Sequence, residues 1–128
     1  MHRYLSALVA ACTAVASACG GSSDSNLTPT SQSNARELAV AHTCDKYAAC
    51  GEIAPSGKTY TSRDNCDIKQ RSSWESIWPP AECDAKIDTN QLNICLSAID
   101  AVECGNILDV VNVYATKCPR SKVCAGPR

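Results

Sequence analysis

Apolar residues recur at helical spacing in four stretches of the chain, and no strand-like alternation persists anywhere. In the first, Leu38, Ala41, Cys44 and Ala48 form one stripe, with Val40 and Tyr47 beside it. Asn34 stands as a cap with Glu37 placed to reach back, and Gly51 fits the terminator position, which predicts a helix over 35–50. The second helix starts at Thr61 or Ser62, gains Asp64 in its first turn, and buries Cys66, Trp74, Ile77 and Trp78 before Pro79-Pro80 stops it. The third opens on a capping box, Asp88-Thr89-Asn90-Gln91, carries Leu92, Cys95, Leu96 and Ile99, and ends near Cys104-Gly105. The fourth begins around Asn106, with Ile107, Val110, Val111, Tyr114 and Cys118 inward and Pro119 as its end. The pattern predicts an all-α fold, a small bundle of about four short helices.

Ahead of the bundle the pattern changes twice. Arg3 followed by the apolar run Tyr4–Val15 and the small residues Ala16 and Ala18 has the layout of a secretory leader, residues 1–18. A run of about a dozen apolar residues is too short to span roughly 30 Å of hydrocarbon. Ala16-Ser17-Ala18-Cys19 resembles the lipobox of bacterial lipoproteins, with Ala16 where Leu is usual. Cys19 is therefore the candidate for lipidation, with palmitate among the acyl chains. Residues 20–34, GGSSDSNLTPTSQSN, bury too little apolar surface to offset their conformational entropy, so 19–34 reads as a polar tether and 35–128 as the folded domain. Asn26-Leu27-Thr28 matches a glycosylation sequon, which matters only in a source that glycosylates such sites and reads as chance under the lipoprotein expectation.

Composition explains how so small a domain holds together. The chain has ten Cys, no Phe and two Trp. A folded part of roughly 90 residues has a meagre core, and cross-links compensate. The leader contains Cys12; without it, nine cysteines remain, and an odd count leaves one thiol unpaired. Assigning Cys19 to a lipid leaves Cys44, Cys50, Cys66, Cys83, Cys95, Cys104, Cys118 and Cys124, which can close as four bridges. Spacing alone cannot choose among the pairings. In an antiparallel hairpin of the first two helices, Cys50 and Cys66 lie near the closed end, which favours their pairing. Cys124, on the tail, returns to an earlier helix. Plant lipid-transfer proteins also set eight cysteines on four helices, but this chain lacks their Cys-Cys and Cys-x-Cys elements. A formal charge of −1 gives no electrostatic case for nucleic acid.

Candidate chemistry is sparse. His42, Cys44 and Asp45 lack zinc-ligand spacing, and His42 reads as a surface residue; no metal or other cofactor is expected. Asp84, Lys86 and Asp88 only distantly follow a calcium loop, with Ala85 and Gln91 at positions that require Gly and Glu, so Asp88 reads as a helix cap. No nucleophile–base arrangement or C-x-x-C pair is present, so no catalytic residue is assigned and the bridges read as structural. Trp74 and Trp78, at i and i+4, are either core aromatics or a binding face. A cavity lined by Leu38, Trp74 and Leu96 would point to a small apolar ligand.

The stretches CDKYAACGEI, SWESIWPPAEC, KIDTNQLNICLSAI and ECGNILDVVN are similar to a family of small cysteine-rich myxobacterial lipoproteins of unknown function, over about 35–124. The resemblance implies an envelope location and no known activity. Gly20 rather than Asp after Cys19 favours the outer membrane, facing the periplasm or the cell surface. The expectation is a lipid-anchored, non-enzymatic binding or structural module with an unknown protein or small-molecule partner. The alternative is a secreted, unlipidated ligand carrier or inhibitor on the same bridges.

Overall fold

A computed structural model describes residues 31–56 and 58–126. The leader, Cys19 and the tether up to residue 30 lie outside the described residues. The helices are α1 (Gln32–Ala49), α2 (Arg63–Ile77), α3 (Pro80–Cys83), α4 (Thr89–Asp100), α5 (Asp109–Thr116) and α6 (Arg120–Val123), with a 3₁₀ turn at Cys104–Asn106. The fold is all-α, as the periodicity predicts, with two one-turn helices added. Both of these begin where a proline ends the preceding segment. Pro79 and Pro119 occupy the N-cap positions of α3 and α6, where a missing N–H costs no helical hydrogen bond.

Helix α1 is the spine, packed on both α2 and α4. It starts earlier than Asn34 suggests: Ser31 is the cap, its Oγ accepting from the Asn34 N–H at 3.2 Å. Gln32 is buried and donates from Nε2 to the Trp78 carbonyl at 2.6 Å, which draws this first turn into the core. The folded part therefore includes residues 32–34, which the sequence assigns to the tether. The inward face is also rotated from the expected stripe. Ala35, Ala39, Val40, Thr43, Cys44 and Tyr47 are buried, whereas Ala48 is exposed and Leu38 is 44% exposed. Ala35 and Ala39, one turn apart and fully buried, lie on the inward face, and Leu38 lies off it.

Helix α2 runs antiparallel to α1, since Cys66, Arg71 and Glu75 meet Cys44, Glu37 and Arg36 in reverse order. Its predicted cap is present: Ser62 Oγ accepts from the Asn65 N–H at 3.1 Å. Cys66, Trp74 and Trp78 are fully buried, as expected, with Ile77 only partly so. Helix α4 likewise has its predicted cap, Asp88, accepting from the Gln91 N–H at 3.0 Å, and buries Leu92, Cys95, Leu96 and Ile99. It stops at Asp100, and α5 starts only at Asp109, so both ends differ from the expected Cys104 and Asn106. The 3₁₀ turn, tied to Cys50, occupies the interval. On α5 only Val110 is buried; Val113 and Tyr114 are half-buried, as is Ile107 just before the helix, and Val111, predicted inward, is 61% exposed.

Trp78 joins three parts of the chain, because its indole N–H donates to the Cys118 carbonyl at 2.9 Å while its own carbonyl accepts from Gln32. Trp78→Ala is expected to cost about 3–5 kcal/mol through the cavity it leaves. Ser62→Ala, which removes only a cap, should cost about 1 kcal/mol. Denaturant midpoints measured with the bridges intact test this ordering.

Candidate functional site

The eight cysteines of the domain close as Cys44–Cys66, Cys50–Cys104, Cys83–Cys124 and Cys95–Cys118. The expected Cys50–Cys66 pairing is wrong. Cys44 and Cys50 are six residues apart, which turns them about 240° around the helix, so both cannot face α2. Cys44 points at α2, and Cys50, at the α1 C-terminus, reaches the 3₁₀ turn after α4. The expected return of Cys124 holds, its partner lying on α3. Beside this bridge Arg120 pairs with Glu82 at 2.6 Å, so α3 and α6 are clasped twice.

Trp74 and Trp78 serve the core. Both are 0% exposed, with ring centroids 4.6 Å apart, so neither presents a binding face to solvent. Tyr114 covers Trp74 at 4.5 Å. Around them is a polar network whose centre, Gln70, periodicity did not reveal. Gln70 is buried; its Nε2 donates to Tyr60 Oη at 2.6 Å and its Oε1 accepts from Tyr114 Oη at 3.0 Å. Trp74 Nε1 donates to Thr43 Oγ1 at 3.3 Å. Among the described residues every buried side-chain nitrogen and oxygen has a partner. A glutamine at the apolar spacing of Cys66 and Trp74 is the signal that could have found it.

The other candidates separate. His42 is partly exposed and its Nδ1 lies 2.9 Å from Asp100, joining α1 to the end of α4. Asp88 caps α4, and its backbone N–H donates to the Val123 carbonyl at 2.8 Å. The only cluster of three metal-ligating groups among the described residues is Cys44, Cys66 and Asp67, and its two sulfurs are joined to each other. Leu38 lies on the surface while Trp74 and Leu96 are buried, so the three do not line a common cavity.

An open concave surface lies elsewhere. Buried or half-buried Ala98, Val102 and Val113, with exposed Glu103, Asp109 and Lys117, line an open groove of roughly 500 Å³ between α4 and α5. Its lining is an apolar strip between groups of both signs.

The chain belongs to a family of unknown function, DUF6184, which it matches over residues 44–126. That span covers all eight bridged cysteines. Comparison with curated proteins and with solved structures returned no match.

Burial raises the ionisation of the Tyr114 and Tyr47 hydroxyls above the ordinary value near 10. Both are thus held neutral in the fold, so their stabilising contribution is complete below pH 10 and is lost as the pH rises further. Thermal stability should fall in that alkaline range. Tyr114→Phe should lower stability at neutral pH by about 1–3 kcal/mol, by leaving Gln70 Oε1 without its donor, and should flatten the alkaline decline. A melting series against pH checks both.

Proposed function

We propose that the protein is a lipoprotein of the bacterial envelope, anchored through Cys19 and carrying its bridged domain on a short polar tether as a non-enzymatic binding or structural module. One observation carries this reading. Every cysteine from Cys44 to Cys124 is used in a bridge within the domain. Cys19 is thereby left over, and it follows small residues at the end of an apolar leader. A thioether to diacylglycerol gives that sulfur a stable chemical state in an oxidising compartment. Each buried methylene contributes about 0.8 kcal/mol, so several acyl chains make attachment effectively permanent.

Support for binding over catalysis comes from where the polar groups are spent. Gln70 engages Tyr60 and Tyr114, Thr43 engages the Trp74 indole, and the Trp78 indole engages the Cys118 carbonyl, which stiffens a scaffold. The groove between α4 and α5 is the surface such a scaffold offers to a partner. Gly20 directs the anchored protein to the outer membrane.

Cells fed radiolabelled palmitate should incorporate label into the wild-type protein and none into Cys19→Ala, which should move from the membrane fraction to the periplasm or medium. An unlabelled wild type overturns the anchor and leaves the secreted carrier or inhibitor in its place.

A further inference from the structure

The four bridges are not equally shielded. Cys44, Cys66, Cys83, Cys95 and Cys118 are all 0% exposed, so three bridges have at least one fully buried partner. The fourth differs: Cys104 is exposed and Cys50 half-buried. An external thiolate has its freest approach to a sulfur at Cys104, and access is one of the factors that set the rate of thiol–disulfide exchange.

The same bridge fixes the least embedded part of the domain. Residues 105–117 are held at one end by Cys50–Cys104 and at the other by Cys95–Cys118. Between these points α5 buries Val110 alone, while Leu108 is 80% exposed. Its other inward holds are half-buried Ile107, Val113 and Tyr114. Tyr114 is the residue that lies over Trp74 and donates to Gln70.

We propose that Cys50–Cys104 is a thiol–disulfide exchange site for an external protein dithiol, and that its opening releases α5 as a strap and uncovers Trp74. In the first step a partner thiolate attacks Cys104 Sγ. The Cys50–Cys104 bond breaks, Cys50 leaves as a thiolate and takes a proton, and a mixed disulfide joins the partner to Cys104. The partner's second thiolate then attacks the partner sulfur of that bond and expels Cys104. The partner is oxidised to a disulfide, and the Cys50–Cys104 pair is reduced by two electrons and two protons. The buried Cys44–Cys66 and Cys95–Cys118 bridges keep the remaining bundle closed. The site does not depend on the lipid, so it and the anchor can fail separately.

The purified oxidised protein is exposed to limiting dithiothreitol, quenched with iodoacetamide at intervals and mapped by mass spectrometry. Cys50 and Cys104 should be alkylated together, on the order of tenfold sooner than the other six cysteines, as acrylamide quenching of tryptophan fluorescence rises. Earlier opening of Cys83–Cys124, or simultaneous opening of all bridges, overturns the assignment. A C-x-x-C protein with its resolving cysteine replaced should be trapped on Cys104; trapping on any other cysteine also overturns it. The double variant Cys50→Ser, Cys104→Ser should keep its helical circular dichroism and show the raised quenching without reductant. Tryptophans as shielded as in the oxidised wild type refute the strap.

Discussion

Two indoles must be buried and their N–H groups satisfied, and this requirement organises the domain. Trp74 and Trp78 supply the largest apolar surfaces in a chain without phenylalanine, and both are completely enclosed. Each also brings one donor into a place where an unpaired donor costs about 1–3 kcal/mol. Thr43 answers Trp74 from α1, and the Cys118 carbonyl answers Trp78 from the end of α5. Satisfying the pair thus fixes the facing of α1 and α2 and returns the distant C-terminal segment to them. Gln32 completes the arrangement by bonding the Trp78 carbonyl, which is why α1 extends back to residue 32.

The bridges stabilise this arrangement but do not define its interior. Each contributes about 2–4 kcal/mol by restricting the unfolded chain, a useful sum for a domain of this size. Cys44–Cys66 sits beneath the antiparallel α1–α2 pair, where the ion pairs Arg36–Glu75, Glu37–Arg71 and Asp45–Arg63 follow the seam. Those pairs are exposed, and the Arg71 guanidinium beside Glu37 holds its carboxyl below the usual range. Their effect is on register more than on stability, because solvent screens exposed charges. The opposite half has no such seam. There α5 lies on α4 across an open groove.

What the sequence discloses is mostly local. Ser62 and Asp88 cap their helices because a cap needs only three residues of context, and the Cys66–Trp74–Trp78 face needs only periodicity. Apart from the return of Cys124, what escapes depends on where elements meet. Leu38 is displaced because α1, packed on both α2 and α4, turns the face of Ala35 and Ala39 inward. Cys50 pairs with Cys104 and not Cys66, a choice made by the orientation of α4, which no local pattern contains. The helical angle between Cys44 and Cys50 was legible and excludes one shared partner face, yet it does not name the second face. Gln70 occupies the apolar register of Cys66 and Trp74, yet its partners Tyr60 and Tyr114 come from distant segments that no local pattern joins to it. The leader and Cys19 are read from sequence alone.

These facts imply an uneven distribution of stability. The α1–α2–α4 unit contains the closely packed alanines, both tryptophans and at least one end of every bridge except Cys83–Cys124. The latter clasps the one-turn helices α3 and α6, whose prolines already restrict their unfolded states. Helix α5 is left with one buried valine, a tyrosine and the ties at its ends. Local opening in proteins follows such poverty of buried contact, so the segment after Cys104 should be the first to part from the rest. Where a helix is held chiefly by covalent ends, its mobility is set by the chemistry of those ends. Here the more accessible end is Cys104.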